Sequence, residues 1–128
     1  AAYLATASAG ITFVHLSEPD EYGHSRGWMT EAYLRGIADA DRCVGTLLTG
    51  IARRQDLDRV LIIVSADHGG HGRTHGSTQD DDMRIPWIVW GSRVVRGRYA
   101  GAVNTMDTAA TALAALETLL YGFIWELD

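Results

Sequence analysis

The run Val60-Leu61-Ile62-Ile63-Val64 constrains the fold more than any other stretch of the chain. It is continuously apolar and mostly β-branched, without the alternation of a half-buried strand. A strand covered on both faces in a parallel sheet is the expected outcome. The residues that follow, Ser65-Ala66-Asp67-His68-Gly69-Gly70-His71-Gly72-Arg73-Thr74-His75-Gly76, bring one carboxylate and three imidazoles together among four glycines. Open α/β folds place ligands beyond the carboxyl ends of their strands. Glycine lets a backbone turn tightly and approach a ligand closely. Asp and neutral His suit zinc or manganese, and no thiolate stands nearby. The stretch predicts half of a metal site.

A second run, Ile11-Thr12-Phe13-Val14-His15-Leu16, predicts another buried strand, with His15 as a core residue. It leads into Ser17-Glu18-Pro19-Asp20-Glu21-Tyr22-Gly23-His24, a loop punctuated by Pro19 and Gly23, in which Asp20 and His24 stand four residues apart. If the two strands are parallel neighbours, both loops reach one edge of the sheet. Asp20, His24, Asp67, His68 and His75 then become candidate metal ligands. The crossover between the strands is an amphipathic helix. Thr30 is its N-cap, and Tyr33, Ile37, Ala40, Val44, Leu47 and Ile51 line one face.

Elsewhere the pattern is plainer. Ala1–Ala9 reads as the end of a helix closed by Gly10. Asp80-Asp81-Asp82 lacks the Gly and Glu spacing of an EF-hand loop and predicts a solvated loop. Ile85–Gly91 is a third strand with Trp87 and Trp90 in the core, and Pro86 is tolerated near its start. Val103–Met106 is a short strand, and Asp107 caps a last helix, from Thr108 to about Leu120. Arg73 reads as a solvated loop residue, with contact to a substrate anion as its functional alternative.

At 128 residues the chain is one domain at most, and an apolar content of 47% is enough to form a core. A net charge of −5 argues against nucleic-acid polymers as partners. Cys43 is alone, which excludes an internal disulfide and leaves the compartment open. No signal peptide is visible. The most apolar segment, residues 109–124, is too short and too interrupted to span a bilayer. A soluble chain is expected.

Taken together, Pro19-Asp20-x-x-Gly23-His24, Asp67-His68-Gly69 and His75-Gly76 ahead of Ile85-Pro86-Trp87 resemble the alkaline phosphatase superfamily. The likeness is to its type I phosphodiesterase/nucleotide pyrophosphatase and sulfatase-like branches and covers roughly residues 10 to 112. It implies an α/β fold: a mostly parallel sheet with helices on both faces, only partly present here. Residues 1–128 would be the C-terminal portion of the catalytic domain, truncated at the N-terminus. The resemblance also implies two divalent ions, usually Zn2+ with Mn2+ as the alternative. Asp20, His24 and His75 would hold one ion, and Asp67 with His68 part of the other. Family spacing selects His75 over His71, which becomes an exposed or supporting residue. No residue matches the family's nucleophile, and Ser17, Ser25, Ser65 and Thr74 lie outside its motif. The implied activity is metal-dependent hydrolysis of small phosphate esters, phosphodiester or nucleotide-type esters ahead of monoesters and sulfate esters. The alternatives are a sulfatase, a phosphomutase or a non-catalytic metal-binding fragment. A sheet lacking neighbouring strands would expose apolar edges and favour self-association.

Overall fold

A computed structural model describes residues 1–8 and 10–124 of the chain, with residues 117–124 as backbone only. Ala9, at the end of the expected first helix, lies outside the described residues. In chain order the elements are helices α1 (Ala2–Thr6), α2 (Asp20–Arg26) and α3 (Glu31–Ile51), strand β1 (Leu61–Ser65), the one-turn helix α4 (Asp80–Met83), strand β2 (Trp87–Gly91) and helix α5 (Asp107–Ile124).

Helix α3 starts where its cap dictates. The Thr30 hydroxyl oxygen accepts the Tyr33 N–H at 3.3 Å and donates its own proton to the Gly27 carbonyl at 2.8 Å. One otherwise orphaned N–H of the first turn is thereby satisfied, which is what an N-cap does. Helices α1 and α2 both pack against α3. The Arg54 guanidinium completes the α1 junction, donating to the carbonyls of Leu4 and Ala7 and forming a two-point pair with Asp56.

The sheet departs from the expectation in two ways. Strands β1 and β2 pair antiparallel, in the register Leu61↔Gly91 to Ser65↔Trp87. Ser65 faces Trp87, so residues 66–86 leave and re-enter at one end of the sheet. A parallel pair would need a crossover to the other end. The second departure is that residues 11–16 form no strand. Strand backbone needs a neighbour for its N–H and C=O groups, and none of the described elements pairs with this segment. Ile11 and Phe13 are 57% and 86% exposed, and His15 is exposed rather than a core residue.

Burial along β2 alternates, so Trp87 faces inward while Trp90 stays 50% exposed. Trp90 is therefore not a core residue. The Trp87 indole N–H donates to the Thr108 hydroxyl at 3.0 Å, tying β2 to α5, and α5 also packs on β1. The expected strand at 103–106 is loop and turn. Helix α5 begins at Asp107, whose carboxylate accepts the Asn104 N–H at 2.8 Å. Among the described residues no apolar side chain is fully buried, and no helix is long and apolar enough to cross a membrane.

Candidate metal centre

Two segments meet at the site: α2, and the loop 66–77 that leaves β1. The α2 spacing puts Asp20 and His24 one turn apart on one face, with His24 Nε2 at 3.6 Å from Asp20 Oδ1. The loop delivers His75, and one ligand atom from each of Asp20, His24 and His75 falls within 4.8 Å of the others.

The remaining candidates take different places. The His68 ring stacks on that of His75, centroids 3.7 Å apart and planes 13° from parallel. His68 Nε2 lies 3.9 Å from Asp20 Oδ1 and 3.5 Å from Asp67 Oδ2. Asp67 is the most exposed of the set, its side chain 84% accessible, and its Oδ1 accepts the His68 N–H at 3.0 Å. Arg73 contributes a backbone group: its carbonyl accepts from His24 Nδ1 at 3.1 Å, while its side chain is exposed.

The tautomers follow from these partners. A carbonyl oxygen can only accept, so His24 Nδ1 carries a proton directed at Arg73, and His68 Nδ1 carries one directed at Gly69, 2.8 Å away. In the neutral rings Nε2 then holds the lone pair, and both Nε2 atoms lie close to Asp20. Asp20 Oδ1 is itself a buried oxygen without a hydrogen-bond partner, although the side chain as a whole is 46% exposed. Burying a carboxylate oxygen unpartnered is costly. A cation offsets that cost, and a carboxylate with neutral imidazoles is a donor set that fits one.

His71 turns away. Its Nδ1–H donates at 2.7 Å to Asp82 Oδ1, and Asp82 Oδ2 accepts the Ser77 N–H at 2.7 Å. Asp82 is 3% exposed while Asp80 and Asp81 stay exposed, so the acidic run is not uniformly the solvated loop its composition suggests. It forms the turn α4, and its middle folds under the glycine loop: Gly69 N–H donates to the Asp82 carbonyl at 2.8 Å. A Cβ on Gly69 would stand 2.0 Å from the Asp81 carbonyl oxygen, which is why a glycine is required there. The hydrogen bond from His71, then those from Ser77, hold the Asp82 carboxyl down at about 2 against burial, which opposes ionisation.

Two further residues stand at the site: Trp28, which carries no sequence signal, and Tyr33, expected only as part of the α3 apolar face. The Tyr33 hydroxyl pKa is raised, first by burial and then by the negative charge of Asp20, while a hydrogen bond from Trp28 works in the other direction. The four hydroxyls considered as nucleophiles are engaged locally: Ser17 with Glu18, Ser25 with the Glu21 carbonyl, Ser65 with Pro86, and Thr74 with His75.

The sequence pattern of the Sulfatase family matches residues 13–118, which contain every one of these groups. The chain belongs to the sulfatase family, within the alkaline phosphatase superfamily. Its architecture is a portion of that superfamily's α/β fold. Among curated relatives of this sulfatase-family chain is GPI ethanolamine phosphate transferase 1 of Aspergillus oryzae, 31% identical over 92% of the chain and 12% of the relative. Ectonucleotide pyrophosphatase/phosphodiesterase family member 3 of Mus musculus is 36% identical over 44% of the chain and 6% of its own length. Arylsulfatase of Volvox carteri is 29% identical over 53% of the chain and 12% of its own length. The chain thus spans about a tenth of the length of its curated relatives. No solved structure matches it.

Proposed function

We propose that the chain supplies the metal-binding wall of a site that cleaves small phosphate esters, with phosphodiester or nucleotide-type esters preferred. The observation that carries this is the unpartnered, buried Asp20 Oδ1 in a residue whose ligand atom lies within 4.8 Å of those of His24 and His75. In this reading Asp20, His24 and His75 hold one divalent ion, zinc or manganese. Asp67 and His68 supply part of a second site. Divalent ions held by these residues would supply positive charge to the phosphoryl oxygens and would lower the pKa of a hydroxyl or water. The chain's own residues do the rest. Asp20 and Asp67 lower the net charge of the cluster, and the carbonyls of Arg73 and Gly69 keep His24 and His68 in the tautomer that presents Nε2. The exposed Arg73 guanidinium is available to an anionic oxygen of the substrate. No nucleophile is assigned to the chain.

A second reading differs only in the acceptor, an alcohol in place of water. It is supported by the relatives named GPI ethanolamine phosphate transferase 1, one of which aligns with 92% of the chain. Sulfate esters present a similar tetrahedral anion, and the arylsulfatase relative keeps that substrate class in view.

The test is elemental analysis of the chain purified without chelator, followed by titration with inorganic phosphate and with sulfate. Near-stoichiometric zinc or manganese, and phosphate binding stronger than sulfate binding, are expected. No metal after addition of both ions would overturn the reading. Sulfate binding stronger than phosphate binding would move the substrate to sulfate esters.

A further inference from the structure

Trp28 touches both halves of the site at once. Its backbone N–H donates to the Gly72 carbonyl at 2.8 Å, joining the segment that follows α2 to the glycine loop. Its indole lies across two glycines, one from each segment. A Cβ on Gly23 in α2 would come within 2.6 Å of the ring, and one on Gly70 in the loop within 2.2 Å. The same ring stands edge-on to His24, centroids 5.0 Å apart and planes at 86°, and meets His75 at 5.9 Å and 66°. It also meets Tyr33, with ring centroids 6.0 Å apart. The backbone leads into this contact with a positive φ of 98° at the buried Gly27, where a Cβ would also meet the Gly72 carbonyl oxygen at 3.1 Å.

We infer that Trp28 is a positioning residue that sets the distance and angle between α2, which carries Asp20 and His24, and the loop that carries His75. The role presupposes the metal site proposed for those three residues. Neither histidine ring is fixed by its own segment alone. His24 is held by a loop carbonyl, that of Arg73. His75 has ring contacts with His68, His24 and Trp28. A rigid bicyclic ring this close to two glycines is a spacer, because a Cβ at Gly23 or Gly70 would collide with it. Outer residues that orient metal ligands typically change affinity by about 10–100-fold when lost.

Cobalt titration of the full chain tests this with two readouts, the dissociation constant and the absorption spectrum of the bound ion, which reports coordination geometry. Trp28→Leu is expected to weaken cobalt binding by about tenfold or more and to shift the spectrum, with Trp28→Phe intermediate. A purely structural role would lower the unfolding midpoint but leave the spectrum of the bound ion unchanged. Gly70→Ala, which collides with the indole, is expected to weaken binding alone but to cost little in the Trp28→Phe background, where the ring is smaller. That non-additivity identifies the contact itself. It also decides the matter should Trp28→Leu fail to fold. Wild-type affinity and spectrum in Trp28→Leu, or additive losses in the double variant, would overturn the inference while leaving the metal site intact. Wild-type chain that binds no cobalt would instead remove the metal site itself.

Discussion

The site region and the β1–β2 sheet are built by different means. Helix α2, Trp28 and the loop 66–77 are joined by specific polar and ring contacts: Trp28 to Gly72, His24 to Arg73, His68 on His75, and His71 to Asp82. The sheet is a single antiparallel pair with packing on α5 and little else, and its outward residues Ile88 and Trp90 are 58% and 50% exposed. Residues 11–16 lie near α2 in sequence yet form no ladder with any described residue, and 11–15 are exposed. The difference is one of range. Hydrogen bonds, tight glycine contacts and helix spacing act over a few residues and need little scaffold. A sheet stabilises itself only when several strands bury a common face, and an isolated pair is marginal in water.

The largest effect that would sharpen this contrast is on metal content. His24→Ala is expected to lower bound metal by one ion per chain, whereas His71→Ala leaves the content unchanged, because His71 is directed at Asp82. Equal losses in elemental analysis would show that the brace and the ligand group act as one unit, and would sink the assignment of ligands.

The next effect belongs to the apolar surface. Phe13 at 86% exposure, with Ile88 and Trp90, leaves large side chains in water, and such patches drive association. The chain is expected to self-associate or to melt broadly. Phe13→Glu combined with Trp90→Lys should shift it towards monomer in sedimentation velocity. A clean monomer with a sharp, high thermal transition would break the contrast between the two regions.

A smaller effect concerns the brace under the loop. The Asp82 carboxyl is depressed from its ordinary 3.8 to about 2, mainly by the hydrogen bond from His71. A carboxylate held below its unfolded value stabilises the fold above 3.8 and loses that contribution as pH falls through about 2. Asp82→Asn should therefore have a lower urea midpoint than the wild type near neutral pH. The gap should narrow as pH drops from about 5 towards 2. A gap that stays constant would mean that the charge on Asp82 contributes nothing to holding the loop.

The same difference in range explains what could be read from the sequence. Thr30, most of the α3 face, the spacing of Asp20 and His24, and the strand before Asp67 are set by neighbours within a few residues and were legible, although Asp20 and His24 stand on a helix in place of the expected loop and Ile37 is 42% exposed. The direction of β2 was not, because its pairing partner is decided by where residues 66–86 fold. The Asp80–Asp82 run misled for a related reason: its charge suggests solvent, yet His71 and Ser77 lie close enough in space to satisfy one of its three carboxylates with hydrogen bonds. Trp28 carried no pattern at all. Its importance comes from two glycines 47 residues apart in sequence, Gly23 and Gly70, which only the folded chain brings to one ring.

The smallest predicted effect lies beside the site, at the N-cap of α3. Thr30→Ala removes both the acceptor for Tyr33 N–H and the donor to Gly27, while Thr30→Ser keeps them. A loss of about 1 kcal/mol in unfolding free energy is expected for the alanine and close to none for the serine. Because Tyr33 sits in that first turn against Trp28, fraying of the cap loosens one support of the indole but leaves its contacts with Gly23 and Gly70. Cobalt affinity should accordingly fall less in Thr30→Ala than in Trp28→Phe. If the cap variant weakened cobalt binding as much as loss of the indole does, the site would depend on the length of α3 and not on the local contacts, and the two regions would differ less than their construction suggests.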